Sequence, residues 1–420
     1  MRASRLPEPT APALEVHPPR AVAVLFVVAL VAGFAQFGAI SSLNDVARHF
    51  GHVVTTGHSL KSAVGLSGSE LGVGLAILRL ASLGALPFAS LADRWGRLRI
   101  LRDTLAVGLL VTAAAALSPS YWFFVACFAL ARPLLAAAST LVQVVTVEIT
   151  STARRVHRLA VMVAGGGIGA GLSAVLHGAI RGPNSFRWLF AVAVLPALLV
   201  PGLLRAVPEP GRHVGDSPAV RLGSIPAHLR GRLAVVAVVG FTVGMITGPA
   251  NGFTFVYGEG VLRLSPSVVA GVVTASAVSG LAGLILGRRL AHTIGRRGTV
   301  GIGVLALAIT SAFAYSGGRL SFEVGYFLGV GAAGLLAPAA SALSTEIFPH
   351  AHRATAAGWA GVAGVLGATA GLALFGWIGD AVGGVTSSSL RIPALVTFLP
   401  LLPSLLLLTR LPESRGVELV

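Results

Sequence analysis

The sequence predicts an all-α membrane protein of twelve transmembrane helices arranged as two six-helix repeats. Three observations predict it. The chain is 55% hydrophobic and only 11% charged, against about 25% charged residues in a water-soluble domain. Apolar stretches of about 18 or more residues recur along its whole length, each long enough to cross ~30 Å of hydrocarbon at ~1.5 Å per residue. Finally, Leu91-Ala92-Asp93-Arg94-Trp95-Gly96-Arg97 has a counterpart 199 residues later, Leu290-Ala291-His292-Thr293-Ile294-Gly295-Arg296. A repeat at about half the chain length marks two homologous halves.

The elements follow in order. Residues 1–20 carry five prolines and form an N-terminal tail. The run 21–43 is too long for a signal-peptide core and lacks a clean cleavage site, so it is the first spanning helix. Spans 69–92 and 103–118 flank the first copy of the motif. Ser118-Pro119-Ser120 is a tight turn into span 120–147, and Gly182-Pro183-Asn184 is a turn between spans 158–180 and 187–205. These six make the first half, 21–205. Residues 206–232 are richer in Pro, Arg, His and Gly than their surroundings and form the linker. The second half, 233–409, holds spans 233–257, 266–288, 299–316, 321–344, 354–380 and 391–409, before a tail at 410–420.

Charge orients the chain. With these spans, 22 basic residues fall on the side of the two termini and the linker, 7 on the other side, and Arg79 and Arg132 within helices. The positive-inside rule then places both termini in the cytoplasm of an inner or plasma membrane. Dividing the charge by membrane side also explains the net charge of +16 without a nucleic-acid partner. The single cysteine, Cys127, excludes an intramolecular disulfide and a cysteine metal cluster; it reads as a small apolar filler.

The halves match at three further landmarks. Glu148-Ile149 is followed seven residues on by Arg155, and Glu346-Ile347 seven residues on by Arg353. Val207-Pro208-Glu209 closes the sixth span and Leu411-Pro412-Glu413 the twelfth. With these landmarks the chain resembles the major facilitator superfamily over its whole length. That family's most diagnostic motif, G-x-L-A-D-R-x-G-R-[KR], corresponds to Ala89-Ser90-Leu91-Ala92-Asp93-Arg94-Trp95-Gly96-Arg97-Leu98, with Ala89 and Leu98 departing from the pattern. The ending Leu411-Pro412-Glu413-Ser414-Arg415-Gly416 also resembles the family's C-terminal segment. The resemblance implies a secondary transporter that works by alternating access.

The motif has its own physical reading. Gly96 permits a tight turn. Arg94, Arg97 and Arg99 pin the loop to the cytoplasm, and Asp93 sits where a carboxylate faces a helix N-terminus or an arginine. The resemblance implies a conformational gate, a charge network of Asp93, Arg94 and Arg97 between the halves, with Glu148 and Arg155 as further members. The alternative is that these charges only set topology. In the second copy His292 stands for the aspartate, which predicts a weaker or absent second network.

Arg79 and Arg132 are the intramembrane charges. Arg79 lies about 21 Å from the cytoplasmic end of its helix, and Arg132 near the midplane, where an arginine costs at least ~2.5–3.5 kcal/mol and normally faces a partner or a water-filled cavity. No acidic residue is expected at their depth; Asp45, Glu70, Glu259, Glu323 and Asp380 all fall near outer helix ends. One account is an anionic substrate that supplies the countercharge. The other has Arg79 reaching outward to Glu70 or Asp45 and Arg132 bonding backbone carbonyls. Gln36, Thr247 and Asn251 lie at span centres in helices 1 and 7. Gln36 and Asn251 either orient a substrate or tie helices together. Trp359 reads as an interfacial anchor.

Other features carry less. Gly165-Gly166-Gly167-Ile168-Gly169-Ala170-Gly171 lies inside a span, with no preceding strand for a dinucleotide site. Small residues there and elsewhere allow helices 5 and 8, or 2 and 11, to approach and rock. His49, His52 and His58 with Asp45 lack fixed metal-ligand spacing and read as a solvated loop. His177 reads as an interfacial side chain, with proton coupling as the alternative. No nucleotide motif or cofactor site is evident. The expectation is a monomeric carrier in the lipid bilayer, moving a small organic, anionic solute by proton coupling or exchange; the alternative is a multidrug/proton antiporter.

Overall fold

The computed structural model describes residues 19–53, 60–180, 182, 184–209, 225–349, 352–382 and 390–413. Most of both tails, residues 210–224 of the linker and His58 lie outside the described residues. Twelve helices are long and apolar enough to cross a membrane. They are α1 (Arg20–Ser41), α2 (Gly68–Trp95), α3 (Arg97–Leu117), α4 (Tyr121–Glu148), α5 (His157–Ala179), α6 (Ser185–Ala206), α7 (Ala227–Gly252), α8 (Pro266–Thr293), α9 (Arg296–Ala314), α10 (Arg319–Ser344), α11 (Arg353–Ala381) and α12 (Arg391–Leu408). Among the described residues there is no strand. Large apolar side chains such as Leu198 and Leu402 are 69% and 67% exposed, which suits a lipid-facing surface and not water.

Every expected span is present. Two begin six residues earlier than hydropathy predicts. The third begins at Arg97 instead of 103 and the seventh at Ala227 instead of 233, because arginines end an apolar run without ending a helix. Arg232 in α7 donates from Nη1 to the Ile347 carbonyl at 3.0 Å, so its charge is met by a helix C-terminus. α2 is not uniform: Pro87 has no N–H to donate to Leu83, and the chain tightens into a 3₁₀ turn at Ser82–Ala85.

The two repeats pack alike. α1 lies on α5 as α7 lies on α11, and α3 lies on α4 as α9 lies on α10. Between halves, α2 meets α11 and α5 meets α8, the pairs their small residues predicted. The glycine run of α5 serves α1 more than α8. A methyl at Gly165 would lie 3.0 Å from the Phe26 ring and one at Gly169 would overlap the Leu30 carbonyl, whereas Gly171 faces Thr274 of α8 at 4.0 Å.

The apolar core shows how the halves are disposed. Below, the motif end is the one bearing the α2–α3 and α8–α9 loops. One buried cluster near that end belongs to the first half, including Leu101, Leu141 and Val145, and a separate one belongs to the second, including Val300, Leu343 and Phe348. A third cluster at the opposite end unites both halves, joining Leu43, Leu71 and Phe124 with Tyr257, Phe322 and Phe375. The molecule is therefore shut at the end opposite the motif and divided toward the motif.

Candidate functional site

The four expected substrate residues line one cavity. Arg79 from α2, Gln36 from α1, Arg132 from α4 and Asn251 from α7 surround a space of about 120 Å³, together with Thr247, Phe128 and Leu372. Two larger chambers share its walls. One, of about 310 Å³, lies within the first half and includes Gln36, Arg132, Ser139 and Gln143. The other, of about 440 Å³, runs from Arg79 and Thr247 through Val239, Leu336 and Val365 to Ser344, Leu408 and Leu411 at the motif end. Among the described residues no carboxylate lines any of the three.

Local sequence explains the polar wall. Arg132, Ser139 and Gln143 recur at helical spacing, so α4 turns one polar stripe to the chamber. Sequence reading singled out Arg132 and missed Ser139 and Gln143, although that spacing was the available signal. Gln36 donates from Nε2 to Ser139 Oγ at 2.8 Å, while Arg132 Nη1 donates to the Gln36 backbone carbonyl at 3.0 Å. Asn251 Nδ2 donates to the Thr247 carbonyl at 2.9 Å, leaving its side-chain oxygen to the cavity.

The two accounts of the arginines separate here. Arg132 does bond a backbone carbonyl, yet its Nε is buried without a hydrogen-bond partner. Arg79 does not reach outward. Glu70 is occupied by Ser67 in a capping box, Asp45 accepts from Ser185, and the Arg79 Nε is likewise buried and unpartnered. Among the described residues neither guanidinium has a carboxylate partner. Two like charges beside one cavity of low dielectric favour a countercharge between them.

The motif end carries two matched networks. Arg97 pairs with Asp93 at 3.2 Å and also meets Glu148, so the loop charges join α2, α3 and α4 of one half. The resemblance puts this network between halves; in this conformation, with the motif end divided, Arg97 holds partners of its own half. Arg94 is exposed, and the Arg155 Nε is buried without a partner. The second network, expected to be weaker or absent, is present with one carboxylate where the first has two: Arg296 pairs with Glu346 at 3.2 Å, while Arg97 meets both Asp93 and Glu148. The arginine–glutamate pair survives because it does not need the residue that His292 replaces.

The closing Pro-Glu landmarks acquire a role that sequence did not reveal. Glu413 accepts from the backbone N–H of Arg296 at 2.8 Å and of Arg297 at 3.2 Å, at the N-terminus of α9. Glu209 accepts from Leu98 N–H at 3.3 Å, at the N-terminus of α3. Each carboxylate meets the positive end of a helix dipole. The turn glycines make room for them: Gly96 has φ +103° and Gly295 φ +95°, and a methyl at Gly295 would lie 2.6 Å from the Glu413 carboxyl carbon.

The opposite end is closed by polar contacts across the halves. Asp380 of α11 accepts from Gly68 N–H at 2.7 Å and Ser69 N–H at 2.8 Å, capping α2. Close backbone approach makes this possible, since a methyl at Gly376 would overlap the Gly68 carbonyl. Beside it, Glu259 accepts from Asn44 at 3.1 Å and lies 2.9 Å from His177. His177 is thus buried at 2% exposure and not interfacial, because α8 and the turn after α7 cover the end of α5. Asp45, expected in a solvated loop with histidines, lies in the short helix Leu43–Phe50 and faces His177 instead. Trp359 is half-buried against the second-half core, between α7 and α11.

Comparisons agree with this geometry. No curated protein matches the sequence. Among solved structures, the nucleoside transporter NupG is similar with a TM-score of 0.76 at 12% identity, over 93% of this chain and 99% of that one. A D-xylose-proton symporter is similar with a TM-score of 0.71 at 18% identity, over 95% and 99%. A bacterial homologue of the human lysosomal transporter Spinster, inward-facing and unoccupied, has a TM-score of 0.70 at 14% identity, over 93% and 95%. The sequence profile of the Major Facilitator Superfamily matches residues 25–318 and 260–419. Twelve spans in two repeats, with a cavity between them, agree with that match, and this multi-pass membrane protein belongs to the Major Facilitator Superfamily of transporters.

Proposed function

We propose that this protein is a proton-coupled carrier of a small organic anion with an apolar body, working by alternating access. The observation that carries the reading is the pair Arg79 and Arg132, unpaired by any described carboxylate, in the wall of one cavity. The anion binds there through charge-assisted hydrogen bonds. Gln36 holds Arg132 in place through its backbone and Ser139 through its side chain. The larger chamber, whose only charged lining residue among those described is Arg79, takes the apolar part.

The orientation follows from charge. The positive-inside rule puts the motif end, both termini and the 206–232 linker in the cytoplasm of the cell membrane. The divided motif end then makes this the inward-facing state, as in the similar Spinster homologue. When that end closes, Asp93, Arg94 and Arg97, with Glu148 and Arg155, become the cytoplasmic gate. The proton coupling of the D-xylose symporter supports a proton as the driving ion. The working unit in this reading is a monomer, the form that the family resemblance implies.

The test is thermal stabilisation of the purified protein by small carboxylates and phosphates, neutral sugars and lipophilic cations, repeated with Arg132→Ala. A ligand that binds only the folded state raises its apparent stability. Anions stabilise the wild type, and Arg132→Ala lowers their affinity by about 10- to 100-fold, the loss of one hydrogen-bonded charge contact. Stabilisation by lipophilic cations that survives the substitution overturns the anion reading in favour of a drug exporter.

A further inference from the structure

Asp45, His177 and Glu259 come from three elements and both halves, and they meet in the closed end. Asp45 lies in the short helix after α1, His177 at the end of α5, and Glu259 in the π-helical turn Val256–Val261 that follows α7. Both imidazole nitrogens face carboxylates: Nε2 is 2.9 Å from Glu259 Oε1, and Nδ1 is 3.6 Å from Asp45 Oδ2. His177 is 2% exposed and Glu259 4%.

We propose that this cluster binds one proton and that its protonation latches the outer end shut. The proposal rests on the alternating-access reading above and adds a pH-sensitive latch to its outer end; the proton returns to the side it came from, so the latch sets the open fraction and does not drive transport.

The argument is a proton count. A neutral imidazole has one N–H donor and one bare lone pair. Set between two carboxylates, it would point that lone pair at a carboxylate oxygen. One proton more removes that conflict, either as an imidazolium hydrogen-bonded to Glu259 and facing Asp45 at 3.6 Å, or as a protonated Glu259 donating to Nε2 while Nδ1–H turns toward Asp45. Opening the outer end parts Glu259 from His177 and Asn44, since Glu259 belongs to the second half and the others to the first. Separated and wetted, the three groups hold one proton fewer wherever the pH exceeds an ordinary imidazole pKa of about 6.5. Closure therefore takes up one proton from the outer side and opening gives it back. The sign follows: lowering the pH favours the closed end and raising it favours opening.

The surroundings leave the count to these groups. Ser185 donates to Asp45 and Asn44 to Glu259; neither titrates. Phe255 lies edge-on to the imidazole, with centroids 5.5 Å apart. The nearby cation Arg187 is turned to the Ala116 and Ser118 carbonyls at 2.7 and 3.1 Å, with His49 3.4 Å from it. Among the described residues, Asp45 and Glu259 are the charged groups facing His177.

The experiment measures closure of the outer end against pH. Spin labels go on Leu117→Cys and Leu320→Cys, exposed positions at the outer ends of the two halves, in a Cys127→Ala background of the full chain in lipid nanodiscs. Interlabel distances are recorded from pH 5.5 to 8.5. In the otherwise wild-type protein the closed-to-open ratio falls by up to about tenfold per pH unit above about 6.5. Glu259→Gln and His177→Gln each flatten that slope. Asp45→Asn, which keeps the cross-half contact, reduces it and covers the case in which either of the others fails to fold. A slope unchanged in all the variants that fold overturns the proposal. So does closure driven by micromolar Zn²⁺ with no pH dependence, which would make the cluster a metal site. Anion stabilisation that depends on Arg132, measured on the same preparations, separates the two claims: if it persists while the slope is unchanged, the carrier reading stands and the latch falls.

Discussion

Asp380→Ala should release the closed end. The Asp380 carboxylate accepts two backbone N–H bonds, at 2.7 and 2.8 Å, across the boundary between the halves. Hydrogen bonds to a charged group contribute roughly 1.5–3 kcal/mol each, and a carboxylate at a helix N-terminus adds about 0.3–1 kcal/mol. In the open state water satisfies the same N–H groups and the carboxylate, so only part of this sum is lost on substitution. A net shift of roughly 2–4 kcal/mol toward the open state corresponds to about a 30- to 1,000-fold change in the closed-to-open ratio. The assay uses Leu372→Cys, a position 4% exposed and packed against Gly72 in the closed seam, in a Cys127→Ala background. In sealed vesicles a membrane-impermeant maleimide applied from the outer side reacts only when the seam opens, so the labelling rate reads the open fraction. Asp380→Ala should raise that rate by at least tenfold, and Asp380→Asn, which keeps an acceptor, by less. Equal rates in all three proteins would show that the cap does not hold the end shut.

Further outcomes follow from the same geometry. Gly376→Leu places a side chain where the Gly68 backbone lies, so it should prevent outer closure, abolish flux and leave anion stabilisation intact. Glu413→Gln should lower the melting temperature more than Glu209→Gln, because Glu413 accepts two N–H groups and Glu209 one at 3.3 Å; scanning calorimetry or dye-based melting checks the order. Gly96→Ala and Gly295→Ala should each cost about 1–3 kcal/mol for a backbone region open mainly to glycine. Gly295→Ala is the worse, since its methyl would meet the Glu413 carboxyl at 2.6 Å and that of Gly96→Ala would meet Glu209 at 3.0 Å. Comparable melting temperatures for the two would refute the crowding argument.

Hydropathy and loop charge are written locally along the chain, so the twelve spans and the division into repeats were legible without coordinates. A helix must satisfy its backbone within itself in lipid, which ties each ~20-residue apolar run to one helix. The same economy singled out Arg79 and Arg132, because a charge inside an apolar run stands out whatever its neighbours are. That both line one cavity, with Gln36 and Asn251, needed the packing of four helices. That the second motif keeps an arginine–glutamate pair is not legible from His292 alone, because Glu346 lies 50 residues from Arg296.

Sequence by itself determined what dissolves in the bilayer, how many times the chain crosses it, and which charges are too costly to be accidental. Tertiary structure alone decided which end is shut and what shuts it. Asp380 reaches Gly68 across 312 positions, Glu259 reaches Asn44 across 215, and His177 reaches Glu259 across 82. No pattern along the chain encodes those pairings. They exist only when the two halves lean together at one end, and that lean is the coordinate an alternating-access carrier changes.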